Sequence, residues 1–147
     1  NHFAYLEDID VGYRAKIYGY KNTYCPTALV YHVGSGTSGS KYNSFKVRLS
    51  ARNNIYLNYK NMPFLQLVLN FIPLFLGYIV KYLFFKKIGF GSDYSSGIKE
   101  GLAHAREQKK VPFKLRHLPN YIRIELELIL HTLSYARDWF TRKLFKK

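Results

Sequence analysis

The sequence predicts an α/β segment followed by a mainly α-helical, basic amphipathic tail. Three observations carry that expectation. A cluster of carboxylates, Glu7, Asp8 and Asp10, stands at the head of a helix-compatible run. A β-rich run, "YKNTYCPTALVYHV", follows it from Tyr20 to Val33. Beyond Asn61 the chain turns into apolar and amphipathic stretches flanked by Lys and Arg. These divide it into residues 1–61, an apolar segment 62–91 and a basic helical tail 92–147.

Each element has a local cause. Asp8 or Asp10 can cap a helix through "VGYRAKIYG", because carboxylates suit the exposed N–H groups of a first turn. Gly19 suits the left-handed position just past its end. The run from Tyr20 is extended, rich in β-formers and broken at Pro26. "GSGTSGS", Gly34 to Ser40, is a loop. Lys41 to Asn61 is helix-compatible, with Phe45, Leu49, Ile55 and Tyr59 near helical spacing.

Pro63 to Val80 carries no charge over eighteen residues. A helix of that length spans about 27 Å, against roughly 30 Å of bilayer hydrocarbon. Gln66, Asn70 and Pro73 interrupt it, and Lys81, Lys86 and Lys87 follow. A spanning or re-entrant segment and a helix pair lying in the interface or packed on protein both remain open. A helix start falls at Ser92 or Asp93, and a charged helix ends before Pro112. From Tyr121 to Lys147, Ile122, Leu126, Ile129, Leu130, Leu133, Phe140 and Leu144 form one apolar stripe.

Composition narrows the partners. The chain of 147 residues carries a net charge of +14, with only nine acidic residues. With fourteen Tyr and eleven Phe, this points to an anionic partner: nucleic acid, anionic lipid or a phosphorylated ligand. The single Cys25 excludes an internal disulfide or a cysteine metal cluster, and a buried position is expected of it. The chain opens on Asn1 with no signal-peptide pattern, so it reads as the C-terminal part of a longer protein.

Several short motifs occur in order. They are Glu7–Asp8 with Asp10, Arg14 followed by Gly19–Tyr20, His32 at the end of the β-rich run, the Gly34–Thr37 loop, and Arg52–Asn53. Taken singly, each has an ordinary structural role: a cap, a packed histidine, a solvated helix face. In this order, "FAYLEDIDVGYRAKIYGYKNTYCPTALVYHVGSGT" with "KVRLSARNNIYLNYKNMP" resembles the C-terminal half of family 2 glycosyltransferases. It is most similar to the rhamnosyltransferase-like members that build bacterial cell-surface polysaccharides. The likeness covers Phe3 to about Pro63.

That resemblance implies a GT-A, Rossmann-like catalytic domain ending near Asn61. It implies an inverting transfer of sugar from a nucleotide-diphosphate donor to a lipid-linked or oligosaccharide acceptor. Asp8 matches the general base and Glu7 a group orienting acceptor or base, with Asp10 as helix cap or support. His32 matches a ligand of a divalent ion, Mg or Mn, held jointly with residues upstream of this chain. Gly34, Ser35, Gly36 and Thr37 would close over the donor diphosphate. Lys41, Arg48 and Arg52 would add positive charge there, or meet lipid phosphate instead. The nucleotide-binding half that the family places before the acidic pair is not among these residues, so the isolated segment is expected to be inactive.

Basic residues beside apolar helices fit the cytoplasmic face of a membrane with anionic lipid. Trp139 and the tyrosines suit its interfacial belt. Two other readings compete: a non-catalytic membrane-binding segment and a nucleic-acid-binding module. Against the latter, the aromatics lie in apolar stretches and no helix-turn-helix, RNP or zinc pattern occurs, so no nucleic-acid partner is expected.

Overall fold

The computed structural model describes residues 5–31 and 40–145, and its regular structure is entirely helical. No strand occurs among the described residues, which corrects the α/β expectation and the Rossmann-like sheet that came with it. The β-rich run shows why. Tyr20 to Tyr31 lies on the surface without regular structure, and Tyr31 is 89% exposed. β-formers report a fit to a pleated, half-buried surface, and here no neighbouring strand supplies one. Cys25 shares this exposure, contrary to the burial expected of a free thiol. His32 and the Gly34–Thr37 loop lie outside the described residues.

Helix α1 runs Glu7–Ile17, with Glu7, Asp8 and Asp10 in its first turn and Arg14 and Lys16 in its last. Both charge placements complement the helix dipole. Gly19 takes a φ of 88°, and the N–H groups of Gly19 and Tyr20 return to the carbonyls of Lys16 and Ala15. This is the left-handed stop that the glycine predicts. At the other end the cap position belongs to Leu6, which supplies no side-chain bond. Neither Asp8 nor Asp10 caps the helix.

Helix α2, Ser44–Asn61, starts where the Asn43 side chain accepts from the Lys46 N–H at 2.8 Å, and Pro63 follows its end. It packs on α5, Gly91–His104, at close range. A Cβ on Gly97 would lie 2.3 Å from the Arg48 carbonyl oxygen. Only glycine permits that approach. Val47, Ala51 and Tyr94 form the buried core there, flanked by Tyr78 and Phe85 of the fourth helix and by Phe90 and Ile98.

The uncharged stretch is two helices, α3 (Phe64–Leu69) and α4 (Phe71–Lys87), which meet at Asn70. No helix among the described residues is long and apolar enough to cross a membrane. That corrects the spanning alternative for residues 63–80. The polar interruptions are instead structural. Gln66 and Asn70 are buried, and both donate to the Glu125 carboxylate, at 2.9 Å and at 2.8–2.9 Å. Tyr13 on α1 donates to Gln66 Oε1 at 2.7 Å. Burial, then the nearby Glu125 charge, raises the Tyr13 hydroxyl above its ordinary value, so it stays a donor.

Two single 3₁₀ turns, Ala105–Glu107 and Leu115–His117, lead into α6, Leu118–Phe145. Tyr121 and Ile124 face inward onto Ile17 of α1. The stripe legible in the sequence faces the other way: Ile122, Leu126, Ile129, Leu130, Leu133 and Phe140 are exposed. On α3 and α4, Phe64, Leu65, Phe71, Ile72, Phe75 and Val80 are exposed as well. Exposed apolar surface on this scale marks a face that meets something other than water.

Candidate functional site

The acidic pair sits on a turn that the backbone bends sharply to make. Tyr5 and Leu6 adopt φ of 69° and 68°, the left-handed region that residues with a Cβ seldom enter. Each such residue costs of order 1–3 kcal/mol and persists only where its surroundings hold it. Asn53, with no exposed surface, supplies that hold by donating its amide to the Tyr5 carbonyl at 3.1 Å. Arg52 Nε in turn donates to Asn53 Oδ1 at 3.1 Å. Glu100 on α5 then accepts from Arg52 at 2.9 Å and from Arg48 at 2.8 Å. The Arg52 bond, more than partial burial, holds the Glu100 carboxyl below its ordinary range, with help from Arg48.

Glu7 and Asp8 project into solvent from the turn so held. Neither has a hydrogen bond or ion pair among the described residues. They stand in the first turn of α1, at the positive end of its dipole. Such a pair can accept a proton from a hydroxyl brought against it.

Asp10 has a different task. It is 3% exposed and accepts from Asn61 at 2.7 Å, Lys60 at 2.8 Å and Arg14 at 2.9 Å. Burial alone would raise its carboxyl. The bonds from Asn61 and Lys60, with the Lys60 and Arg14 charges, outweigh burial and keep it low. Asp10 therefore pins α1 to the end of α2.

Of the residues expected at a site, the structure thus places Glu7 and Asp8 together, in the open. Arg48 and Arg52 are engaged with Glu100, behind the turn. Lys41 lies over the Tyr42 ring, 5.5 Å from its centroid. Among the described residues no group of three or more His, Cys, Asp or Glu could hold a metal ion. They offer no fit to the divalent ion that the resemblance implies, and His32 lies outside them. Sequence reading missed Glu100 and Glu125 as organising groups. Glu100 lies between Lys99 and Arg106, which was an available signal; Glu125, with Glu127 two residues on, carried none. Asn53 was read only as part of the Arg52–Asn53 motif, without the role of holding the Tyr5 carbonyl.

Comparison with protein-family models, with curated proteins and with solved structures found no match.

Proposed function

We propose that the chain is the acceptor-side, membrane-seated part of an inverting glycosyltransferase, with Asp8 as general base. The Asn53–Tyr5 hydrogen bond is the observation that carries this reading. It ties two of the motifs behind the resemblance, 48 residues apart, into one rigid unit that presents two unengaged carboxylates.

Asp8 accepts the proton of an acceptor hydroxyl while that oxygen attacks the anomeric carbon of the donor sugar. The bond from that carbon to the diphosphate breaks, and the nucleoside diphosphate leaves with its electron pair. Glu7 orients the acceptor. Asn53 is a positioning residue, because it touches the turn and not the substrate, and Arg52 acts on the turn only through Asn53. Donor contacts remain with Gly34, Ser35, Gly36, Thr37 and Lys41. A divalent ion would be held by His32 jointly with residues that the resemblance places before this segment, and would supply positive charge to the departing diphosphate.

Membrane seating rests on the outward faces of α3, α4 and α6 with Lys81, Lys86 and Lys87 beside them. Basic residues near an anionic surface contribute about 1 kcal/mol each, and apolar burial adds to this. Such seating, at the cytoplasmic face, brings a lipid-linked acceptor to Asp8.

The test uses membranes carrying the chain joined to the nucleotide-binding half that the resemblance calls for, and a panel of radiolabelled nucleotide sugars. Transfer to lipid-extractable acceptor is expected, and Asp8→Asn should lower it by roughly 10²–10⁴-fold, the usual worth of a general base. Membrane retention should not change. Transfer unaffected by the substitution would leave a basic membrane-binding segment without chemistry.

A further inference from the structure

We propose that the groove between α3, the 111–113 segment and the start of α6 holds one acyl chain of an anionic phospholipid. The groove encloses about 730 Å³, within the roughly 300–1,000 Å³ usual for small-molecule sites. Its lips are Phe64 and Leu65 on one side and Ile122 and Leu126 on the other, all exposed. Phe113 stacks obliquely on Tyr121 within it, ring centroids 5.5 Å apart. An open slot of this kind is costly in water and suits a flexible hydrocarbon chain.

Charge selects the kind of amphiphile. Lys60 and Lys110 line the groove. Lys60 is committed to Asp10, whereas Lys110 rests over the Tyr59 ring at 4.5 Å, with no carboxylate partner among the described residues. Lys109 and Lys114, on either side of the 111–113 segment, have no ion pair among the described residues either. The one carboxylate on the wall, Glu125, is occupied by Gln66 and Asn70. An anionic head at Lys110, with its chain along the slot, satisfies this arrangement; a neutral head does not.

The groove opens onto the same exposed face that seats the protein on the membrane, so a lipid can enter from the bilayer. To that extent the proposal rests on the seating proposed above and deepens it. The full chain, purified in detergent, is offered phosphatidylglycerol or phosphatidylcholine and examined by native mass spectrometry. One retained phosphatidylglycerol is expected, favoured at least about tenfold over phosphatidylcholine. Lys110→Glu should abolish the preference. Leu126→Trp, a filling change at an exposed lip, should abolish the adduct. Equal retention of the two lipids, or an adduct indifferent to Leu126→Trp, overturns the proposal. Flotation on phosphatidylglycerol vesicles is read in parallel. Flotation without the single adduct sinks the groove and leaves the seating intact. An adduct lost with Leu126→Trp, without flotation, supports the groove and sinks the seating.

Discussion

Asp10→Asn removes one charge from the contact that fixes α1 on α2, and the structure sets the size of the effect. Three donors converge on the carboxylate, from Lys60, Arg14 and Asn61. Removing one partner of a fully buried ion pair costs about 3–5 kcal/mol. Here the Lys60 and Arg14 side chains keep 21% and 40% of their surface exposed, so both can turn to water. The new amide oxygen can still accept from Asn61. The expected loss is therefore roughly 2 kcal/mol at neutral pH.

The sign with pH follows from the lowered carboxyl. A depressed folded value stabilises fully above the unfolded range near pH ~4 and is lost as pH falls through the folded value. The gap between parent and Asp10→Asn should therefore close on acidification. Urea unfolding followed by circular dichroism in mild detergent measures it. A gap under about 0.5 kcal/mol at neutral pH, the range of an ordinary surface change, would refute the assignment. So would a gap that acid leaves untouched.

Other substitutions probe separate contacts. Gly97→Ala forces α2 and α5 apart against the Arg48 carbonyl, and should cost about 1–3 kcal/mol or more in the same unfolding experiment. Asn53→Ala releases Tyr5 and should lower sugar transfer while leaving bulk helicity intact by circular dichroism. Glu125→Ala leaves the Gln66 amide without its acceptor while the Asn70 amide keeps the Gln66 carbonyl, so it should cost about 1–3 kcal/mol. Glu100→Gln loosens two partly exposed arginines, so its stability loss should stay within about 1 kcal/mol.

The helices were largely legible where the cause is local. Gly19 stops α1, Pro63 follows α2, and the periodic apolar residues after Tyr121 mark α6. The missing strand was not legible, because Tyr20 to Tyr31 has the composition of a strand but no edge to pair with among the described residues. Likewise Gln66 and Asn70 read as flaws in an apolar span, since the carboxylate that satisfies them lies 59 and 55 residues away. The stripe on α6 showed apolar periodicity without showing which way it faces; Tyr121 and Ile124 took the inward side. At the site, Glu7 and Asp8 stood out by their isolation among basic residues. The roles of Asp10, Arg48 and Arg52 depend on partners distant in sequence, which spacing does not reveal.

Placement of the acceptor against the α1 turn is the central claim, and photo-crosslinking tests it most directly. A benzoylphenylalanine at Ile9, exposed beside Asp8, is compared with one at Leu102, exposed on α5. Both are introduced into the full chain in membranes carrying radiolabelled glycolipid acceptor. Labelled glycolipid should attach at position 9 and not at 102, and should still attach at 9 when Asp8→Asn is added. Equal labelling at both positions, or none at 9, would contradict an acceptor site at this turn.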